Sequence, residues 1–286
     1  MFGGFSTRNN FGATGSAFPT RALAQLGGFD PATDFITAAN ITNATQQAAI
    51  RTLVSNLVAN SLWDKILVAY PMVGGNAYSH KFNLKNPKDA NNAFRVDFFG
   101  GWTHGPSGAI GNGSTSWGAT YFTPSEQYAG PSGAHLCVYT DGTTAGINAY
   151  DIGYQQNNFS LIGKYGDNIT YVGIAQSAFA TVVNSTTGTG FWFGNKSGAV
   201  ASVWGRAPGA TLTRVINTTV PNTPFVSTSS LYGTTIGASM NANVPTLFSS
   251  RQFKWASMGF NMTDAEIATY ETIVNTFQTA LTRNLY

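Results

Sequence analysis

Between residues 66 and 260, short segments in which apolar side chains alternate with polar ones follow one another, and this pattern constrains the fold more than any other feature. Successive side chains of a β-strand point to opposite faces, so the alternation predicts half-buried strands. Turn residues separate the segments at intervals of about ten residues, the spacing of an all-β sandwich or barrel. The predicted strands are Lys65–Tyr70, Tyr78–Leu84, Ala93–Phe99, Ala119–Phe122, Ala134–Tyr139, Ala149–Tyr154, Phe159–Tyr165, Ile169–Ala175, Gly190–Phe193, Val200–Arg206, Leu212–Ile216, Leu231–Ala238 and Arg251–Phe260.

The last predicted strand leads directly into a helix. Phe253, Trp255 and Ser257 occupy alternate positions of this strand, and we expect them to share one face. Thr263 and Glu266 have the spacing of a capping box, in which each side chain binds the backbone amide of the other residue. Behind this cap an apolar stripe repeats at helical spacing, at Ile267, Tyr270, Val274, Phe277 and Leu281. Such a helix needs a large apolar surface, which we expect a sheet to supply.

A second helix is predicted near the N-terminus, beginning after Asn43 and ending near Asn60. Its apolar face consists of Ile50, Leu53, Val54, Leu57 and Val58. Many short strands with helices only at the two ends predict a mainly β fold, a jelly-roll sandwich of two antiparallel sheets. No internal repeat or change of composition divides residues 35–286, so we predict one sandwich domain with a flanking helix at each end.

Residues 1–34 form a region of their own in the sequence, without any period and rich in Gly and Phe. Alone, such a segment cannot bury enough surface to offset its chain entropy. We therefore predict a docking arm whose phenylalanines contact another protein or a neighbouring subunit; the anchors are Phe2, Phe5, Phe11 and Phe18. The alternative is an arm that folds back on its own domain.

Composition excludes several classes of protein. Charged residues make up 9% of the chain and the net charge is +3, with no block of Lys or Arg, which argues against a nucleic-acid partner. The one cysteine, Cys137, cannot form an intrachain disulfide. The longest apolar run ends at Pro71 and is too short to cross a bilayer, and the first residues lack the apolar run of a signal peptide.

Side chains for bond-breaking chemistry are scarce. Glycosidases use two carboxylates that flank the scissile bond, and this chain has three glutamates: Glu126, Glu266 and Glu271. Two of these belong to the C-terminal helix, so we expect no enzyme activity. His80, His104 and His135 lack the spacing of metal ligands on a helix, and with Cys137 we interpret them as packing residues. No metal site is predicted from these residues.

Several motifs resemble, in their order, bacteriophage virion proteins that carry a concanavalin A-like, laminin-G-like lectin domain. They are Tyr70-Pro71-Met72-Val73-Gly74-Gly75, Ser79-His80-Lys81-Phe82-Asn83-Leu84-Lys85, Gly100-Gly101-Trp102-Thr103-His104, Gly111-Asn112-Gly113, Phe248-Ser249-Ser250-Arg251-Gln252 and Thr276-Phe277-Gln278-Thr279-Ala280-Leu281. The resemblance covers residues 35–286. It implies a jelly roll of two antiparallel sheets in a fibre, tail or capsid decoration, assembled as a homo-oligomer, with a trimer as our expectation. Attachment to host-surface glycan is the implied role; the alternative is a purely structural decoration. Some such domains hold a calcium ion.

Aromatic residues beside Gly-rich loops are the candidates for a glycan site. Sugars stack their C–H faces on rings while placed polar groups bind the hydroxyls. Trp102, His104 and Trp117 fall in one long Gly-rich connection, and Asp141 begins a turn; these four are the predicted ligand residues. The alternative is that Trp102 and Trp117 close the ends of the sandwich.

Overall fold

The computed structural model describes residues 30–130, 133–142, 148–155, 158–176, 178–183, 187–225 and 230–286. The predicted arm anchors Phe2, Phe5, Phe11 and Phe18 lie outside the described residues. The helices are α1 (Pro31–Ala38), α2 (Ala44–Ala59), α3 (Ala77–His80), α4 (Pro124–Gln127) and α5 (Asp264–Ala280), with 3₁₀ turns at Trp63–Lys65 and Asn91–Ala93. The strands are β1 (Ile66–Tyr70), β2 (Asp97–Phe99), β3 (Thr103–Gly105), β4 (Gly108–Ile110), β5 (Trp117–Ala119), β6 (Gly133–Asp141), β7 (Ile152–Tyr154), β8 (Phe159–Ile162), β9 (Ile169–Ile174), β10 (Ala180–Val183), β11 (Gly190–Ser197), β12 (Val200–Arg206), β13 (Thr213–Thr219), β14 (Thr235–Ile236), β15 (Ser239–Asn241), β16 (Val244–Thr246) and β17 (Gln252–Gly259).

These strands form two sheets. Sheet A has the order β13-β12-β11-β6-β17-β4-β3, and β1 pairs with β17. Sheet B has the order β10-β9-β8-β7-β14-β5-β2, with the hairpin β15–β16 attached to β7. The pairings are antiparallel apart from the contact of β15 with β7. The predicted fold class, a mainly β sandwich of two antiparallel sheets with helices toward the two ends of the chain, is confirmed.

Apolar side chains form two buried clusters, one on each face of sheet A. In β6 the alternation assigns Leu136 and Val138 to the cluster between the sheets, which also contains Val172 of sheet B. Cys137 and Tyr139 point the other way, into a cluster with the apolar faces of α1, α2 and α5. The helices therefore form a third layer over one face of sheet A, and the other face of sheet A packs on sheet B.

The predicted caps of the two long helices are confirmed. Glu266 N–H donates to Thr263 Oγ1 at 3.3 Å, and Thr263 N–H donates to the Glu266 carboxylate at 2.7 Å. The same carboxylate accepts from Lys65 Nζ at 3.1 Å, which joins the start of α5 to the turn before β1. At the start of α2, Gln46 N–H donates to Asn43 Oδ1 at 3.0 Å.

The expected common face of Phe253, Trp255 and Ser257 is wrong for Phe253. Trp255 Nε1 donates to the Tyr270 hydroxyl of α5 at 3.1 Å, and Ser257 Oγ lies 2.7 Å from that hydroxyl. Phe253 instead belongs to the cluster between the sheets. The register of β17 against β6 shifts between Phe253 and Trp255, and this β-bulge inserts Lys254 as an extra residue. One extra residue inverts the alternation of a strand.

The predicted strand Tyr78–Leu84 does not exist. Asn76 Oδ1 accepts a hydrogen bond from Ser79 N–H at 3.0 Å and caps the short helix α3 there. Asn83 then accepts from Ala69 N–H at 3.0 Å, so its side chain replaces a strand partner beside β1. Side-chain hydrogen bonds of asparagine commonly compete with secondary structure in this way.

Several further predicted strands are shorter than expected, and two of them show the reason. The segment Ala93–Phe99 pairs only as β2, because Phe94 has a left-handed φ of 59° at the end of a 3₁₀ turn. The segment Leu231–Ala238 pairs only as β14, between Gly233 and Gly237, whose φ values are 65° and 75°. Left-handed residues interrupt the extended backbone that a strand requires.

Helix α1 crosses the predicted boundary between arm and domain at residue 34, and the sequence pattern did not predict it. Asp30 caps it by accepting from Ala32 N–H at 3.1 Å, and Arg51 of α2 pairs with Asp30 at 3.1 Å. Phe35 and Ile36 are buried in the helix layer. None of the helices that the structure describes is long and apolar enough to span a membrane.

A buried ion pair joins the two sheets. Arg251, directly before β17, donates from Nη1 to both oxygens of Asp151, directly before β7, at 2.5 and 2.6 Å. Both side chains are 0% exposed. Arg251 also donates to the carbonyl oxygen of Lys164, and Gly163 N–H donates to Asp151 at 2.8 Å. A Cβ on Gly188 would lie 2.5 Å from the guanidinium carbon of Arg251, so the Arg251 side chain packs directly on the backbone of Gly188.

Candidate functional site

An exposed phenylalanine on sheet B is the centre of the candidate site. In β2, Phe98 packs on Trp102, which in turn packs on Phe253 in the core between the sheets. Phe99 is the next residue in the strand and therefore faces away from sheet A. Gly100 ends the strand with a φ of 74°, and a Cβ there would lie 2.2 Å from the Thr115 carbonyl oxygen. This close turn holds Phe99 at the edge of sheet B, where it is 37% exposed.

Two other aromatic rings support Phe99 from below and from the side. Trp117 is its partner across the strand pair β2–β5, and the two rings are stacked with centroids 4.3 Å apart and planes at 14°. Tyr232 meets Trp117 edge-on at 5.0 Å and Phe99 at 6.0 Å. Trp117 is only 9% exposed because Phe99 covers it. The accessible ring of this group is therefore Phe99, and Trp117 fixes its orientation.

Polar side chains border these rings on the same face of β2 and β5. Asp97, two residues before Phe99, accepts from the Tyr121 hydroxyl at 2.5 Å and from Arg95 at 3.0 Å. Arg95 also donates to Asp89 at 2.8 Å. Burial, together with the hydrogen bond to Asp97, raises the pKa of Tyr121 to about 12, so its phenol stays neutral. We call Phe99, Trp117, Tyr121, Tyr232, Asp97 and Arg95 the Phe99 patch.

Two of the predicted ligand residues, Trp102 and His104, come together at an edge of the sandwich. Their ring centroids are 6.3 Å apart, and Phe98 lies edge-on to His104 at 4.6 Å. The Trp102 ring covers Gly237, where a Cβ would lie 2.8 Å from it. Trp102 therefore packs between Gly237 and Phe253 at the edge of the two sheets, and a ligand role for it stays a prediction. Its indole N–H is buried and has no hydrogen-bond partner among the described residues.

A histidine pair also lies at this edge. His80 Nδ1 and His104 Nδ1 are 3.0 Å apart, so one ring donates to the other. Burial, then the nearby His104 and Arg283, lower the pKa of His80 to about 3; burial lowers that of His104. Both imidazoles are therefore neutral near pH 7. Sequence spacing could not predict this pair, because His80 and His104 are 24 residues apart in the sequence.

The fourth predicted ligand residue, Asp141, does not join the others. It ends β6 in sheet A and pairs with Lys254 Nζ at 3.0 Å, whereas the Phe99 patch lies on sheet B. Trp117 belongs to the patch only as the support of Phe99. Sequence reasoning missed Phe99, Asp97, Tyr121 and Tyr232 as site residues. The alternation of Asp97 and Phe99 in a predicted strand was a usable signal, whereas Tyr232 is placed by the long-range pairing of β14 with β5.

Ligands for a metal ion are dispersed in the described parts of the chain, which contain no group of three or more His, Cys, Asp or Glu side chains. Within the Phe99 patch the Asp97 carboxylate is already bound by Tyr121 and Arg95. Asp141 likewise has a lysine partner. The described residues thus show no carboxylate cluster for the calcium ion that the resemblance allows, and no step of the proposed function depends on that ion.

No known family profile matches the chain, and no curated protein sequence matches it. Among solved structures, it is similar to a mutant of Trypanosoma rangeli sialidase displaying trans-sialidase activity, with a TM-score of 0.42 and 10% identity over 81% of this chain and 39% of that one. The lumenal domain of VIP36 in its Ca²⁺- and Man2-bound form gives a TM-score of 0.33 and 12% identity over 70% and 92% of the two chains. An arabinofuranosidase complexed with arabinofuranosyl-alpha-1,2-xylobiose gives 0.33 and 12% over 64% and 41%. The chain thus spans about two fifths of the sialidase.

Proposed function

We propose that this protein binds carbohydrate at the Phe99 patch, without cleaving it. The observation that carries the proposal is the exposed Phe99 ring, stacked on a buried tryptophan at 4.3 Å. Sugar rings bind to rigid aromatic faces, and a ring held from below loses little side-chain entropy on binding.

Polar groups beside the ring support the same proposal. Asp97, Arg95 and the Tyr121 hydroxyl form a hydrogen-bonded chain at the rim of Phe99. Together they offer donors and acceptors in fixed positions, as sites for polyhydroxylated ligands require. Arg95 pairs with both Asp97 and Asp89, and Lys81 pairs with Asp89, so the charges beside the ring balance and the patch suits an uncharged sugar.

We further propose that the protein is a bacteriophage virion component, in a fibre, tail or capsid decoration, which attaches the particle to host-surface glycan. The motifs given in the sequence analysis support this role. In this proposal the protein is made in the host cytoplasm and exposed on the particle. The arm anchors Phe2, Phe5, Phe11 and Phe18 dock it to other virion proteins and to the neighbouring subunits of a homotrimer.

A second candidate function is a purely structural decoration without a ligand. The packing of Trp102 favours it, because that predicted ligand residue fills the sandwich edge over Gly237. The two candidates differ in one measurable property, since only the first requires affinity for a sugar.

Binding of the full chain to a glycan array tests the first function. We expect Phe99→Ala to weaken binding by about tenfold or more, because an aromatic platform contributes on the order of 1–2 kcal/mol. Tyr78, a 52% exposed tyrosine on α3, provides the matched control Tyr78→Ala, which should bind as the wild type does. Trp102→Ala should lower the unfolding temperature while its folded fraction keeps its affinity. Binding by no sugar on the array would favour the structural decoration.

A further inference from the structure

Sheet B carries a second group of aromatic residues on its other half. Tyr150 and Tyr165 have ring centroids 6.4 Å apart, Tyr165 and Tyr171 5.5 Å, and Tyr171 and Phe179 5.7 Å. Consecutive rings meet edge to face, at 73° to 87°. We call these four residues the Tyr171 row. The Tyr171 row lies on the half of sheet B that contains β8, β9 and β10, whereas the Phe99 patch lies on the half that contains β2 and β5.

The Tyr171 row lies on the face of sheet B that points away from sheet A. Val172 packs against Gly194 of sheet A, where a Cβ would lie 2.6 Å from it. Its neighbours Tyr171 and Gly173 must therefore point outward. Phe179 lies over Gly173, at 2.9 Å from the position of a Cβ. The Phe99 patch faces the same way, so both aromatic groups are on one face of the molecule.

Three of the four rings of the row are not part of the buried core. Tyr150 is 6% exposed and anchors one end. Tyr165, Tyr171 and Phe179 are half-buried and belong to neither of the buried clusters. A surface that keeps several aromatic rings partly exposed commonly marks a binding site.

Polar groups along the row suit sugar hydroxyls. The exposed Asp167 accepts from the Tyr171 hydroxyl at 2.5 Å and from Ile169 N–H at 2.9 Å, which fixes its carboxylate beside the ring. Thr181, exposed on β10, is the cross-strand neighbour of Tyr171. The hydrogen bond to Asp167, then burial, raise the pKa of Tyr171 to about 12, so the phenol is neutral. Asp167 is the one charged group among these residues, and it would repel phosphate, sulfate or carboxylate on a ligand.

We propose that the Tyr171 row is a second carbohydrate-binding surface, and that the ligand is an uncharged glycan polymer long enough to contact both this row and the Phe99 patch. This inference rests on the proposed function and names its ligand class. Two surfaces that bind one polymer act together, because the first contact raises the effective concentration of sugar at the second.

The test uses the full chain and three immobilised polysaccharides: a neutral β-linked glucan, a neutral α-linked mannan and the anionic alginate. We expect binding to a neutral polymer and none to alginate. Tyr171→Ala and Phe99→Ala should each weaken binding to the neutral polymer by about tenfold, and Tyr171→Phe by less because it keeps the ring. Tyr78→Ala is the control for an exposed aromatic residue outside both surfaces. If Tyr171→Ala unfolds, Thr181→Lys covers the ring without removing it and should give the same loss.

The outcomes separate the inference from the proposed function. Loss of binding in Phe99→Ala with none in the Tyr171 and Thr181 variants would overturn the second surface and leave the first. Loss in the row variants alone would overturn the Phe99 patch and retain the row. Binding to none of the three polymers, or tighter binding to alginate, would contradict the neutral-glycan inference. A fall in oligomer mass in Tyr171→Ala without a change in affinity would instead make the row a subunit interface.

Discussion

At the residue scale, Arg251 and Asp151 connect the two sheets through charges that have no contact with solvent. A buried ion pair is weak evidence of net stability, because removing two charges from water costs about as much as their attraction returns. Removing one partner is different, since the other charge then stays buried without compensation. Removing one partner of this pair should therefore cost much more stability than the intact pair contributes.

We expect Asp151→Asn to lower the free energy of unfolding by about 3–5 kcal/mol, measured by urea unfolding. The double variant Asp151→Leu/Arg251→Met should recover most of that loss, because no buried charge remains. Asp264→Asn, which breaks the exposed pair with Arg214, should cost about 1 kcal/mol or less. If Asp151→Asn were as stable as the control Asp264→Asn, the unpaired charge of Arg251 would not be costly, which would refute the prediction.

His135 is buried on the helix-covered face of sheet A, where its ring stacks on Phe193 at 4.9 Å and Nδ1 lies 2.7 Å from the Phe260 carbonyl oxygen. Burial lowers its pKa to about 4, although the hydrogen bond to Phe260 acts in the opposite direction. The unfolded chain therefore binds a proton near pH 6.5 that the folded chain does not bind until about pH 4.

Acidification from pH 6.5 toward pH 4 should accordingly destabilise the protein, and the stability contributed by neutral His135 is fully present only above pH 6.5. His135→Asn should reduce the slope of unfolding free energy against pH by about 1.4 kcal/mol per unit within this window. Denaturant titrations at several pH values measure the slope. An unchanged slope in the variant would show that His135 is charged in the folded state.

At the scale of single elements, the sequence predicted those whose signals are local. The Thr263 and Glu266 side chains satisfy each other's amides within one turn, and strand β12 has the predicted bounds Val200–Arg206. The β-bulge at Lys254 depends on pairing with β6, which no local pattern encodes. The candidate site shows the same limit. The alternation of its strand indicates the position of Phe99, whereas Tyr232 is placed beside Phe99 by the pairing of β14 with β5, more than a hundred residues apart in sequence.

The cap of α5 gives a prediction at this scale. Thr263→Ala should lower the free energy of unfolding by about 1 kcal/mol, because Glu266 N–H loses its acceptor. Thr276→Ala, at an exposed position inside the same helix, should be neutral or slightly stabilising because alanine is the better helix former. Thermal unfolding of both variants measures the difference; equal values would mean that the cap contributes nothing.

At the scale of the whole molecule, the layers determine which surfaces remain available. The helices cover sheet A, and sheet B covers its other side, so the outer face of sheet B carries both the Phe99 patch and the Tyr171 row. This arrangement was predictable in outline, since strands in the middle and helices at the ends imply that helices pack on a sheet. The helices cover sheet A because β6, β11 and β17 together present buried apolar side chains on the face of sheet A that points away from sheet B.

The proposed arm gives the prediction for the assembly. We expect the full chain to be a trimer and a chain without residues 1–29 to be a smaller species, because the arm phenylalanines would no longer dock. Light scattering measures both masses. The truncated chain should still bind the glycan that the full chain binds, and an unchanged mass would refute the docking role of the arm.

Helix α1 belongs to the layer over sheet A, and its capping residue Asp30 forms an ion pair there with Arg51. The described part of the chain therefore begins in the helix layer, on the side of sheet A opposite the Phe99 patch. A partner that held the molecule by this helix layer would leave the outer face of sheet B, with both aromatic surfaces, uncovered. The order of the layers alone would then decide which surface of the molecule can meet a ligand.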